Sequence, residues 1–189
     1  MLIETWTPGF IPDLLKAGQI LLGLSVGLLL GHMKNPSRTN SNVKGMITTK
    51  VGVCLSALAL GIAIALLYSH AITSVYLLST IFVFTVLTSS AVAANITNKS
   101  VIMGLTWLSF FILGLTCVPL QGLFPDGLII IAVNILSLSL LAGGAATLSN
   151  WTAYSQDLLW PKIGTRILGA WLFAVAIMML AFQQSGISF

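Results

Sequence analysis

The sequence contains very few charged residues. Eight Lys and Arg and four Asp and Glu make up 6% of the 189 residues, against about 25% in an ordinary soluble domain. A water-soluble fold of this size needs a polar surface that so few charges do not supply. The composition therefore excludes a soluble enzyme and a disordered chain, and its 57% of hydrophobic residues indicates an integral membrane protein.

Cysteine and histidine are also scarce, with two of each. Cys54 and Cys117 fall at depths that differ by about 20 Å along the predicted spans, whereas a disulfide needs Cα atoms within about 7 Å. His32 and His70 are predicted at opposite membrane surfaces, so they do not share a metal ion. No HExxH, GxSxG, CxxC or phosphate-loop motif is present. We therefore expect no metal site, no cofactor and no catalytic site.

The apolar residues are grouped in six segments, each close to the about 20 residues that cross a bilayer as a helix. The segments cover about residues 10–31, 51–68, 74–94, 101–120, 128–147 and 167–182. None of them alternates with period two, which disfavours a transmembrane β-barrel. The predicted fold is an all-α polytopic bundle of six transmembrane helices, forming a single domain over residues 1–189.

The basic residues predict the orientation of the bundle. Seven of the eight Lys and Arg follow the first, third and fifth segments: Lys34, Arg38, Lys44, Lys50, Lys99, Lys162 and Arg166. The positive-inside rule places these regions in the cytoplasm, so both termini are expected on the non-cytoplasmic side. Such charges fit contact with the lipid bilayer and do not require nucleic acid. The short loops favour a bacterial inner membrane.

Small residues at helical spacing predict how the helices pack. They are Gly23, Gly27 and Gly31 in the first segment and Ala57, Gly61 and Ala65 in the second. Helices in a bilayer associate through close packing of such residues. We therefore predict that the first two helices contact each other along these two faces.

Two further segments carry local predictions. Gly143 and Gly144 near the end of the fifth segment would permit close approach of another helix or local unwinding. Trp151 and Tyr154 have the spacing of a short helix in the headgroup layer. We expect Pro161 to end this short helix before the sixth span begins.

Polar residues within the spans are the strongest candidates for a functional site. Five of them, from four helices, fall in one layer near the middle of the bilayer: Gln19, Thr85, Ser109, Asn134 and Ser137. Ser25 and Thr106 lie at a similar level, and Thr88 and Ser89 extend the layer toward the cytoplasm. One interpretation is hydrogen bonding between helices, worth about 0.6 kcal/mol per pair. The other is a pathway for a small polar solute.

Two charged residues at the outer end of the first helix also have two interpretations. Asp13 and Lys16 are three residues apart, which suits an ion pair on one helix face. The alternative is an outer gate. No charged residue lies in mid-span, which favours a neutral or weakly polar solute over ion coupling.

Three classes of function remain open, because the chain resembles no family strongly enough to name one. A facilitative channel or transporter for a small neutral or weakly polar solute is the first. An accessory or assembly subunit of a larger membrane complex is the second, and the possible partners are other membrane subunits for this class or copies of the chain itself for the first. An intramembrane enzyme is the third. Three spans on each side of residues 95–100 would have opposite orientations, as in inverted-repeat transporters, but no residue-level match relates them.

Overall fold

A computed structural model describes residues 10–32, 43–67, 74–96, 98–118, 127–154 and 159–185, and all regular secondary structure within these ranges is helical. The helices are α1 (Phe10–His32), α2 (Val43–Leu67), α3 (Ser74–Ala93), α4 (Lys99–Thr116), α5 (Gly127–Tyr154) and α6 (Leu159–Ser185). The prediction of an all-α fold with six helices is confirmed.

Four helices contain apolar stretches that are long enough to cross a membrane. These stretches are Tyr76–Ala93, Lys99–Thr116, Leu128–Ser149 and Ile163–Gln184. The described parts of α1 and α2 add the shorter apolar stretches Leu15–Gly31 and Gly52–Leu67. Large apolar side chains are exposed on the outer helices, for example Leu140 at 69% and Trp171 at 60%. Such a surface suits lipid and would not be stable in water.

Three helix ends, the starts of α2 and α6 and the end of α5, lie seven or eight residues beyond the predicted segments. α2 begins at Val43, eight residues earlier than the sequence indicates. α5 continues to Tyr154, because residues 147–154 contain neither glycine nor proline. The prediction of a separate helix around Trp151 and Tyr154 is therefore wrong. Pro161 lies in the first turn of α6, where its missing N–H has no intrahelical role.

α1 is the central helix of the bundle. It contacts α3, α4, α5 and α6, whereas α2 packs on α4 and on no other helix within the described part of the chain. Gly18 lies against Ile81 and Ser25 against Thr88, so α1 and α3 are parallel. α3 and α6 are antiparallel, because the Arg166 and Gln183 side chains of α6 bond to Ala93 and Ser79 respectively.

The predicted contact between α1 and α2 is wrong. α1 packs instead on α5: a Cβ atom on Gly27 would lie 2.5 Å from the carbonyl oxygen of Ala142. α2 packs on α4 at Gly61 and Gly114, and a Cβ atom on either glycine would overlap a backbone carbonyl oxygen of the other helix. α5 and α4 also carry small residues on the surfaces that face these glycines. α5 therefore packs against the glycine face of α1, and α4 packs against that of α2.

Gly143 and Gly144 do not interrupt α5. The helix is continuous through both residues, and the Thr147 hydroxyl donates a hydrogen bond to the Gly144 carbonyl at 2.8 Å. No described atom lies within 4 Å of a Cβ atom placed on either glycine. The predicted unwinding or close approach at this point is therefore absent from the described part of the protein.

The helix pairs show a relation between the first half, α1–α3, and the second half, α4–α6. When α1, α2 and α3 are matched in order with α4, α5 and α6, the α1–α5 pair corresponds to the α4–α2 pair. The α3–α6 and α1–α4 pairs each correspond to themselves. The relation is incomplete, because α1 packs along α3 whereas α4 and α6 do not touch in the described part of the chain.

Candidate solute site at the interface of α1, α3 and α4

Buried polar side chains are concentrated on α1, α3 and α4, which contact one another in pairs. We call the following set the polar interface: Gln19, Ser25, Thr85, Thr88, Ser89, Thr106, Ser109 and Thr116. Every member is at most 7% exposed. No Asp, Glu, Lys, Arg or His belongs to the buried side chains of the described residues. The interface is therefore a buried, uncharged set of hydroxyl and amide groups.

Gln19 connects α1 to the end of α4. Its side-chain nitrogen donates a hydrogen bond of 2.9 Å to the carbonyl oxygen of Thr116. Thr116 is the last residue of α4, and the last four carbonyls of a helix have no donor within that helix. Gln19 therefore satisfies two buried polar groups at once. Thr116 was not a sequence candidate, because its role depends on its backbone carbonyl and not on its side chain.

Ser25 and Thr88 connect α1 to α3. Their hydroxyl oxygens are 2.8 Å apart, and either can donate the hydrogen bond. Each also lies within bonding distance of a carbonyl in its own helix, Ser25 of Leu22 at 2.9 Å and Thr88 of Phe84 at 2.8 Å. The pair therefore has both an interhelical and a local partner, so it can change partners without leaving a hydroxyl unpaired.

Most other hydroxyls of the polar interface bond to their own helix. Thr85 donates to the Ile81 carbonyl at 2.8 Å, and Ser109 donates to the Leu105 carbonyl at 2.7 Å. Ser109 lies seven residues before Thr116, on the same face of α4. Thr106 differs from all of these: its hydroxyl oxygen is buried and has no hydrogen-bond partner among the described residues.

The structure separates the five predicted pathway residues. Gln19, Thr85 and Ser109 belong to the polar interface. Asn134 is half-buried on α5, and its side-chain nitrogen donates to the Cys117 carbonyl at 3.3 Å, just beyond the end of α4. Ser137 is exposed on α5 and donates to the carbonyl of Val133 in its own helix at 2.8 Å. Ser137 therefore lies outside the group to which the sequence assigned it.

The proposed outer gate falls partly outside the described residues. Lys16 is exposed on α1, while the side chain of Asp13 lies outside the described part of the chain. The ion pair between them stays a prediction. Cys54 and Cys117 are both free. Among the described residues, no three His, Cys, Asp or Glu side chains are close enough to hold a metal ion.

Two basic side chains lie at one end of the bundle, where α3 ends and α4 and α6 begin. The Arg166 side chain donates from Nε to the carbonyl of Ala93, the last residue of α3, at 3.2 Å. Lys99 is exposed in the first turn of α4. The chain reverses between α3 and α4 through Asn95, whose φ of 53° is a left-handed conformation that asparagine adopts more readily than most residues.

The length and composition of its helices place the protein in the class of integral membrane proteins. Comparison of the chain with protein-family models, with curated proteins and with solved structures finds no match.

Proposed function

We propose that the protein is a facilitative transporter for a small neutral or weakly polar solute. The polar interface is the observation that carries this proposal, because it offers hydrogen-bonding groups inside the bundle without any buried charge. A neutral solute can exchange its hydrogen bonds with water for bonds to hydroxyl and amide groups. An ion would need a paired charge or an unwound backbone to offset its desolvation.

The proposal includes six membrane spans, with both termini on the non-cytoplasmic side of a bacterial inner membrane. The helix directions support alternating spans: α1 is parallel to α3 and α5, and antiparallel to α4. The position of Arg166 beside the end of α3 supports a single basic side. By the positive-inside rule, that side is cytoplasmic.

The relation between the two halves supports a transporter over a static channel. Inverted-repeat transporters place their site where the two halves meet, and α1 and α4 bring Gln19 and Thr116 together at such a point. α1 packs on α3, whereas α4 does not pack on α6. Such a difference is expected if the two halves take turns in two conformations during transport. In the other conformation, α4 would pack on α6 and α1 would separate from α3.

Solute flux in proteoliposomes tests this function. We expect the purified protein to accelerate the movement of at least one of water, glycerol and urea over protein-free liposomes. Gln19→Leu and the near-isosteric Thr88→Val should each reduce that flux severalfold. Ser137→Ala is the matched control, because it removes an exposed hydroxyl outside the polar interface. Flux equal to that of protein-free liposomes for all three solutes would refute the proposal.

A specific feature favours an accessory or assembly subunit as the second candidate. α5 exposes Gly143 and Gly144 on a surface that no other described residue covers, and such a surface suits a partner helix. Native mass analysis after purification in mild detergent separates the candidates. A stable complex with another membrane protein would favour the subunit, and an isolated monomer or homo-oligomer would favour the transporter.

A further inference from the structure

Two glycines occupy equivalent positions in the two halves. For a Cβ atom on Gly27, the nearest atom would be the Ala142 carbonyl oxygen, followed by an atom of Ala145, three residues further along α5. For a Cβ atom on Gly114, the nearest atom would be the carbonyl oxygen of Leu58, followed by an atom of Gly61, again three residues further. When α1 is matched with α4 in this way, Gly27 corresponds to Gly114.

A second contact agrees with this register. Gly31, four residues after Gly27, lies against Ser149. The equivalent residues in the other pair are Val118 and Ala65, and these two belong to one small buried apolar cluster. Both pairs of helices thus approach each other with the same spacing over about one turn.

The same alignment of α1 with α4 matches Gln19 with Thr106. It also relates Thr116, whose carbonyl accepts the Gln19 hydrogen bond, to Leu29. Leu29 lies one turn before the end of α1, and a backbone carbonyl has a second lone pair that can accept a further hydrogen bond. Leu29 and Ile102 belong to one buried cluster, and α1 contacts α4, so we place Leu29 opposite the first half of α4 from the antiparallel direction of the two helices.

The two equivalent positions differ in the reach of their side chains. The amide nitrogen of glutamine is two bonds further from the backbone than the hydroxyl of threonine, and Gln19 reaches the carbonyl of the neighbouring helix whereas the Thr106 hydroxyl bonds to no described residue. Thr106 is 2% exposed, and its hydroxyl oxygen has no partner within the described part of the chain. A buried hydroxyl without a partner costs free energy that a bound molecule would offset.

We propose that the gap between Thr106 and the Leu29 carbonyl binds one small neutral molecule that both accepts and donates hydrogen bonds. The molecule accepts a hydrogen bond from the Thr106 hydroxyl and donates one to the Leu29 carbonyl. It thereby takes the place that the Gln19 amide occupies in the equivalent contact. Its chemistry is that of water or of a small uncharged amide or alcohol. The site would exist whether or not the protein transports a solute.

A high-resolution structure of the full chain in detergent or nanodiscs tests this site directly. We expect density within hydrogen-bonding distance of the Thr106 hydroxyl in the wild-type protein. Samples prepared with and without urea identify the source, because a site filled by water keeps a single peak in both. In Thr106→Gln, the density should be replaced by the new amide, bonded to the Leu29 carbonyl. An empty site in the wild type would overturn the proposal.

Thermal unfolding provides the second measurement. Thr106→Gln should lower the Tm by less than about 2 °C, because the longer side chain enters space that the small molecule vacates. Thr85→Gln is the matched control, since Thr85 is fully buried and its hydroxyl already bonds to Ile81. Overpacking there should lower the Tm by more than about 4 °C. Equal losses in the two variants would contradict a gap at Thr106.

Discussion

At the residue scale, the polar interface contains two kinds of hydrogen bond. Thr85 and Ser109 bond within their own helices, so these hydrogen bonds would survive separation of the helices. Gln19 and the Ser25–Thr88 pair bond between helices. The sequence identified these side chains because amides and hydroxyls are conspicuous in an apolar span. It did not identify Thr116, because every residue has a carbonyl.

Gln19→Leu should destabilise the protein by about 1 kcal/mol, between the average of about 0.6 and the maximum of about 1.7 kcal/mol for interhelical hydrogen bonds in membranes. The reason is the loss of the bond to the Thr116 carbonyl, which is left at a helix end without a donor. Unfolding in a graded denaturing detergent measures the change. Ser137→Ala should have no effect, and equal losses in the two variants would show that Gln19 contributes nothing specific.

At the scale of the elements, glycine faces determine which helices pair. The sequence predicted which faces of α1 and α2 are smooth, and the structure agrees that Gly27 and Gly61 lie in close contacts. The partners could not be predicted, because α4 and α5 also present small residues such as Gly114 and Ala142. Spacing identifies a face, and only the three-dimensional arrangement assigns its neighbour.

Gly27→Leu and Gly114→Leu should each prevent the close approach of a helix pair. A side chain at either position would meet backbone atoms of the neighbouring helix, which cannot move aside as a flexible side chain can. We expect losses of at least about 1–3 kcal/mol, measured as reduced thermal stability. Gly143→Leu adds the same side chain where no described atom lies within 4 Å, and it should be neutral. A comparable loss at Gly143 would contradict this assignment.

The proposed change between two helix packings, in which α1 separates from α3, also predicts the effect of a crosslink. The Ser25 and Thr88 hydroxyls are 2.8 Å apart, so Ser25→Cys with Thr88→Cys should join α1 to α3 under oxidation. Cys54 and Cys117 would first be replaced by alanine. We expect the crosslink to abolish the flux that the reduced double-cysteine protein retains, and a reductant to restore that level. Unchanged flux in the fully crosslinked protein would show that α1 and α3 do not need to separate.

At the scale of the whole molecule, the pairing of the helices relates two halves that the sequence does not visibly relate. Gln19 and Thr106 are chemically different, and so are Ala65 and Ser149, so residue-by-residue comparison of the halves finds no repeat. The relation appears in the contacts, because close approach needs small residues in both halves and does not need the same ones. Composition and spacing predicted six helices, but they could not predict the correspondence between the two halves.

The central claim is that two halves of opposite orientation cross the membrane, three spans each. It is tested most directly by labelling single cysteines at Asn40 and Pro125, which lie in equivalent connections, after the first helix of each half. With an impermeant thiol reagent applied to intact cells and to inverted vesicles, position 40 should react only from the cytoplasmic side and position 125 only from the opposite side. Reaction of both positions from the same side would contradict the account.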